Sequence, residues 1–155
     1  MSSQINQVKI IREVNVQAEE FYKDAVEMGI HAASALKANH RSQMTGLENI
    51  AESALKYSDI FDYIKRQTAR YSYWQQGPEH EKTGEAFGER LLKYLEQELR
   101  NRRDSVCRRL VVGDKTEEDK QLRRHLYLLL IRQFVRQLVV QYEYRARLVD
   151  NKKGA

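Results

Sequence analysis

Lys65, Arg66 and Arg70 stand just before Tyr71, Tyr73 and Trp74, so cations and aromatic rings interleave within one short stretch. Guanidinium groups match phosphate in a planar, bidentate geometry, and aromatic rings can stack on unpaired bases. That combination suits single-stranded nucleic acid. The plainer alternative is a solvated helix end with Trp74 closing a core. Further along, Arg90, Lys93, Arg100 and Arg108 fall within roughly 80° of one another at helical spacing, opposite a leucine stripe. Arg132 and Arg136 are one helical turn apart, and Arg145 and Arg147 extend the charge. Arg102-Arg103 beside Asp104, and Arg123-Arg124 near the acidic stretch at 117–119, read as local ion pairs.

Other chemistry finds little support. The histidines, His31, His40, His80 and His125, are not spaced as metal ligands. Glu48, Glu52, Asp59 and Asp62 could offer carboxylates to a metal inside a bundle, but the Glu-x-x-His partner motif is missing. They read as a solvated acidic face. No Gly-rich phosphate loop or nucleophile elbow is present. No histidine follows an arginine at the five-to-seven-residue spacing used by many helical ribonucleases and tRNA-cleaving toxins. Arg108 and Arg109 could activate the lone Cys107, yet a buried structural thiol is the simpler expectation. No cofactor is implied, and the chain reads as a non-enzyme.

The charge is divided along the chain. Residues 1–64 carry 6 Lys/Arg against 9 Asp/Glu, whereas residues 65–155 carry 21 against 13. An acidic front and an Arg-rich back suggest contact with both protein and nucleic acid. A single cysteine cannot form an internal disulfide, which fits a reducing compartment. The opening Met1–Asn6 is polar and carries no secretory pattern. The most apolar run, Leu126 to Tyr144, holds Arg132 and Arg136 near its middle, against a membrane span. The expectation is one soluble, cytoplasmic domain over residues 1–155.

One proline and seven glycines leave long helices uninterrupted, so an all-α bundle of four to five helices, mostly antiparallel, is expected. The first helix should run from about Gln4 to Lys37, with Val14, Ala18, Phe21, Tyr22, Ala25 and Met28 as its stripe and a possible bend at Gly29. Residues 37–42 read as a loop, and Thr45-Gly46-Leu47-Glu48 as a capping box. It opens a second helix with Leu47, Ile50, Ala51, Ala54, Phe61 and Ile64 facing inward, to roughly Trp74. Gly77-Pro78 breaks the chain. A third helix starts between Thr83 and Phe87 and carries Leu91, Leu92, Leu95, Leu99, Val106 and Leu110 until Gly113-Asp114-Lys115. Thr116 then caps a fourth helix with acids in its first turn, ending near Leu148 before a frayed tail at 151–155.

Three stretches resemble the small α-helical subunit of type III CRISPR RNA-guided effector complexes. They are Met44-Thr45-Gly46-Leu47-Glu48-Asn49-Ile50, Asp62 to Tyr71, and Leu130 to Tyr142. The Arg-rich segment from Gly88 to Leu110 and the Asp114–Asp119 linker depart from that pattern. The resemblance implies a non-catalytic subunit that stacks in several copies, touches neighbouring subunits and lines the channel for guide and target RNA. By position, Lys65, Arg66, Arg70, Arg132 and Arg136 would face RNA phosphates; the cationic face of the third helix adds Arg100 and Arg108. The rival expectation is a helical protein–protein scaffold or self-associating adaptor whose arginines meet acidic partners.

Overall fold

The structure, a computed structural model, describes residues 7–78 and 84–154, with side chains as far as residue 148. The expected helix start at Thr83, and His80, lie outside the described residues. Among these residues every regular element is helical. They are α1 (Gln7–Glu20), α2 (Tyr22–Leu36), α3 (Arg41–Ser53), α4 (Tyr57–Arg70), α5 (Phe87–Lys93), α6 (Leu99–Arg109) and α7 (Glu117–Gly154). Short 3-10 turns cover Ala38–His40 and Ser72–Gln75, and a π-helical turn at Tyr94–Glu98 joins α5 to α6. The all-α bundle expected from the sequence is thus the fold.

Between Leu126 and Val139, α7 buries Leu126, Tyr127, Leu128, Leu130, Ile131, Phe134, Val135, Leu138 and Val139. At 100° per residue those positions span about 220° of the circumference, far wider than the stripe of a surface helix, so several neighbours must cover them. The enclosure comes from α1, α2, α3, α4 and α6, all packed on α7. Residue pairings set the directions. Arg123 meets Asp104 and Tyr127 meets Leu95, so α6 is antiparallel to α7. Phe21 meets Phe134, and Tyr142 donates a hydrogen bond to the Lys37 carbonyl, so α2 runs parallel to it.

The α2–α7 crossing needs a glycine. A Cβ on Gly29 would collide with Gln141 Cβ and sit 3.1 Å from the Leu138 carbonyl oxygen. Gly29 therefore serves close packing and does not bend the helix. The interruption falls at Phe21 instead, whose dihedrals of −93° and 5° separate α1 from α2. Phe21 is fully buried there, edge-on to Phe134 at 5.6 Å.

Local signals were correct at one terminus and misleading at three. Thr116 caps α7 as expected: the Asp119 N–H donates to its hydroxyl at 3.1 Å, and Asp119 Oδ2 accepts from the Gly113 N–H. Thr45 caps nothing. It lies inside α3, where its hydroxyl donates back to the Arg41 carbonyl at 3.3 Å, because the 3-10 turn at Ala38–His40 already starts the helix. The C-terminal tail is not frayed from Asn151, since α7 continues to Gly154. The end of α6 is the third case. Val112 N–H bonds the Cys107 carbonyl and Val111 N–H the Arg108 carbonyl, a Schellman closure. Its left-handed position, normally glycine, is occupied by Val111 at φ 57°.

Two outcomes follow for chemical denaturation. Gly29→Ala should destabilise the fold by about 1–3 kcal/mol through overpacking. Val111→Gly should stabilise it by about 1 kcal/mol by relieving left-handed strain. The opposite signs would show that the crossing and the closure are misassigned.

Candidate nucleic-acid interface

α4 is an amphipathic helix whose buried side is Ile60, Phe61, Ile64 and Gln67. The opposite side exposes Lys65, Arg66, Ala69 and Arg70. No hydrogen bond or ion pair to another described residue engages any of these three cations, so their charge is directed to solvent. Beside them, Lys65 and Ala69 line a groove of about 510 Å³ with Gln75, Glu89 and Leu92. Glu89 brings one negative charge to that wall. Gly88 lets α5 approach this closely, since a Cβ there would collide with the Thr68 side chain.

The neighbouring rings are committed elsewhere. Trp74 is fully buried and packs against Phe87 at 5.1 Å, so it belongs to the core and is not a stacking platform. Tyr73 lies face to face with His40 at 3.6 Å and 4°, and Tyr71 stacks on Tyr73 at 5.3 Å. This three-ring ladder joins the turn before α3 to the turn after α4. Tyr63 braces the same corner by donating to the Gln43 carbonyl at 2.9 Å, and burial pushes its phenol above the ordinary range. His40 looked like a loop residue because its partner is over thirty positions away, and no local pattern announces that contact.

The remaining arginines are not gathered into this face. Arg100 is exposed on α6 near Tyr127, whose phenol is pushed up to about 12, mainly by burial. Arg108 is exposed two turns further on, donating to Ser105 Oγ at 3.1 Å. Arg90 is half-buried against His31, so the cationic stripe expected on this segment is divided.

Arg132 and Arg136 are engaged by other parts of the fold. Arg132 is half-buried, and its Nε and Nη2 donate to the carbonyls of Ala51 and Ala54, both at 2.8 Å. Chain continuing as helix would have satisfied those oxygens, but Ala54 turns extended at ψ 138° and α3 stops. Arg132 thus caps the C-terminus of α3 from a distant helix. Arg136 forms a two-bonded pair with Glu52, at 2.6 and 2.9 Å. Arg132 therefore turns inward to α3, whereas Arg136, half exposed, has its charge met by Glu52.

The local ion pairs were partly legible. Asp104 accepts from Arg103 at 2.9 Å, but Arg123 also turns to Asp104, at 2.8 Å, and not to the acidic start of α7. Arg102 reaches across to Glu20 and Gln17 on α1 as well as to Glu98. Cys107 is buried, and burial pushes its thiol up against the opposing pull of Arg123 and Arg103. Among the described residues, no group of three or more His, Cys, Asp and Glu side chains is placed to hold a metal, and no helix is long and apolar enough to cross a membrane. No family model, curated protein or solved structure matches this chain.

Arg132→Ala should cost about 2–3 kcal/mol in denaturant, since two buried-side hydrogen bonds from a charged donor are lost. Arg66→Ala and Arg70→Ala should change stability by no more than about 0.5 kcal/mol. Equal costs at all three sites would contradict the division drawn here. The Glu52 carboxyl is held below its ordinary value of 4.5, chiefly by its hydrogen bond from Arg136. A carboxyl depressed in the folded state contributes stability above its unfolded pKa and loses it as pH falls through the folded value. The pair is substantially exposed, so the effect is small. Glu52→Gln should lower stability slightly at neutral pH and converge with the parent below pH 4.5; an unchanged gap in acid would exclude this linkage.

Proposed function

We propose that this chain is a non-catalytic RNA-binding subunit of a larger ribonucleoprotein, of the kind the resemblance to type III CRISPR small subunits implies. The supporting observation is the outer face of α4, where Lys65, Arg66 and Arg70 are exposed together with no partner among the described residues. Unneutralised cations on a rigid helix attract a polyanion and release its counterions on binding. Arg100 and Arg108, exposed on α6, extend the contact when the RNA is long. With Trp74 buried, Tyr73 stacked on His40 and Tyr71 on Tyr73, the contact is to the backbone and carries little sequence preference. Several copies stacked along guide and target RNA in the cytoplasm would multiply a weak single contact by avidity.

A second reading, a helical protein scaffold, has its own observation. Leu55 is 94% exposed beside a groove it shares with Tyr57, Gln121 and Leu128, and an apolar side chain at the mouth of such a groove suits a protein partner. The two readings separate by a titration of single-stranded RNA over a salt series. The parent should lose affinity steeply with salt. The Lys65→Ala, Arg66→Ala, Arg70→Ala triple variant should give a log–log slope shallower by about 2, at about 0.7 per phosphate contact on single strands. Arg132→Lys should leave the slope unchanged. An unaltered slope in the triple variant, with self-association lost in Leu55→Ser, would favour the scaffold.

A further inference from the structure

His31 is buried yet hydrogen-bonded through both ring nitrogens. Arg90 Nη1 lies 3.0 Å from its Nδ1, and a guanidinium can only donate. Nδ1 is therefore the bare nitrogen, and Nε2 carries the proton that it donates to the Gln76 carbonyl at 2.9 Å. The imidazole is neutral, so it orients Arg90 without neutralising it. No carboxylate among the described residues comes within ion-pair distance of this half-buried guanidinium.

Arg90 opens into a cleft of about 320 Å³ between α2 and the π-helical turn, near the lower end of small-ligand pockets. The opposite wall is acidic. Glu27 sits one turn before His31 on α2, lines the cleft and has no ion-pair or hydrogen-bond partner among the described residues. Asp24 is held by the Tyr94 hydroxyl, which donates to its Oδ2 at 2.7 Å, leaving its other oxygen available. Burial and that bond push the Tyr94 phenol up, so it remains a donor. The π-helical turn creates this arrangement: it places Tyr94 between Phe134, stacked at 4.4 Å, and Asp24. Such turns inside helices recur at ligand sites.

The cleft thus presents an uncompensated guanidinium on one side and unneutralised carboxylates on the other. A phosphate would meet Asp24, Glu27 and Glu98, and a simple cation would meet Arg90 and Lys93. We propose that this cleft binds a free α-amino acid, its carboxylate on Arg90 and its ammonium group between Glu27 and Asp24. Such a ligand satisfies both charges and fits the volume. The site is separate from the α4 face, so its fate does not bear on RNA binding.

Ligand-observed saturation-transfer NMR with a mixture of the L-amino acids at millimolar concentration tests this. At least one should show transfer, and that signal should fall at least tenfold in Arg90→Gln. Glu27→Gln, an exposed change that leaves the His31 bond intact, should weaken it severalfold without altering the folded spectrum. Absence of transfer from every amino acid overturns the proposal, as does transfer that persists in Glu27→Gln and equally in Arg90→Gln.

Discussion

The constraint on which this structure depends is the breadth of α7's apolar face. A helix with a narrow oily stripe needs one neighbour; α7, oily over more than half its circumference, needs several. That requirement accounts for features that look unrelated along the chain. Phe21 leaves helical geometry so that α1 and α2 can follow different lines across α7. Gly29 is small because α2 passes over Gln141 at backbone distance. Ala54 turns extended so that α3 and α4 can cover adjoining parts of the same surface.

Enclosure also decides what each arginine does. A cation on a surrounded helix must find acceptors, because an unpaired charge at half-burial is costly. Arg123 and Arg132 accordingly turn to Asp104 and to the C-terminal end of α3, while the more exposed Arg136 pairs with Glu52. Helices on the outside of the bundle face no such demand. The arginines of α4 stay in solvent, and the charge they carry is available to a partner. A basic composition therefore contains two populations, one that closes the fold and one that faces outward, and burial in the fold separates them.

That distinction explains what could be read from the chain alone. The helical class, the inward stripes and the Thr116 cap rest on contacts within a few residues, which periodicity and capping chemistry encode. The break at Ala54 has no glycine or proline to mark it, because its compensation comes from Arg132. The ladder of His40, Tyr73 and Tyr71 and the His31–Arg90 couple likewise join residues far apart in sequence. For the candidate interface, the exposed trio on α4 was legible as an amphipathic pattern. The pairing of Arg132 and Arg136 was not, since a one-turn spacing looks the same whether the side chains meet phosphate or protein.

The account turns on whether the outer face of α4 meets RNA. Chemical-shift mapping of the backbone amides during titration with a single-stranded RNA asks this at residue level. The account predicts perturbations concentrated at Lys65, Arg66, Ala69 and Arg70, with Arg132 and Arg136 unmoved. Perturbations centred on the α3–α7 seam, or none at low salt, would contradict it.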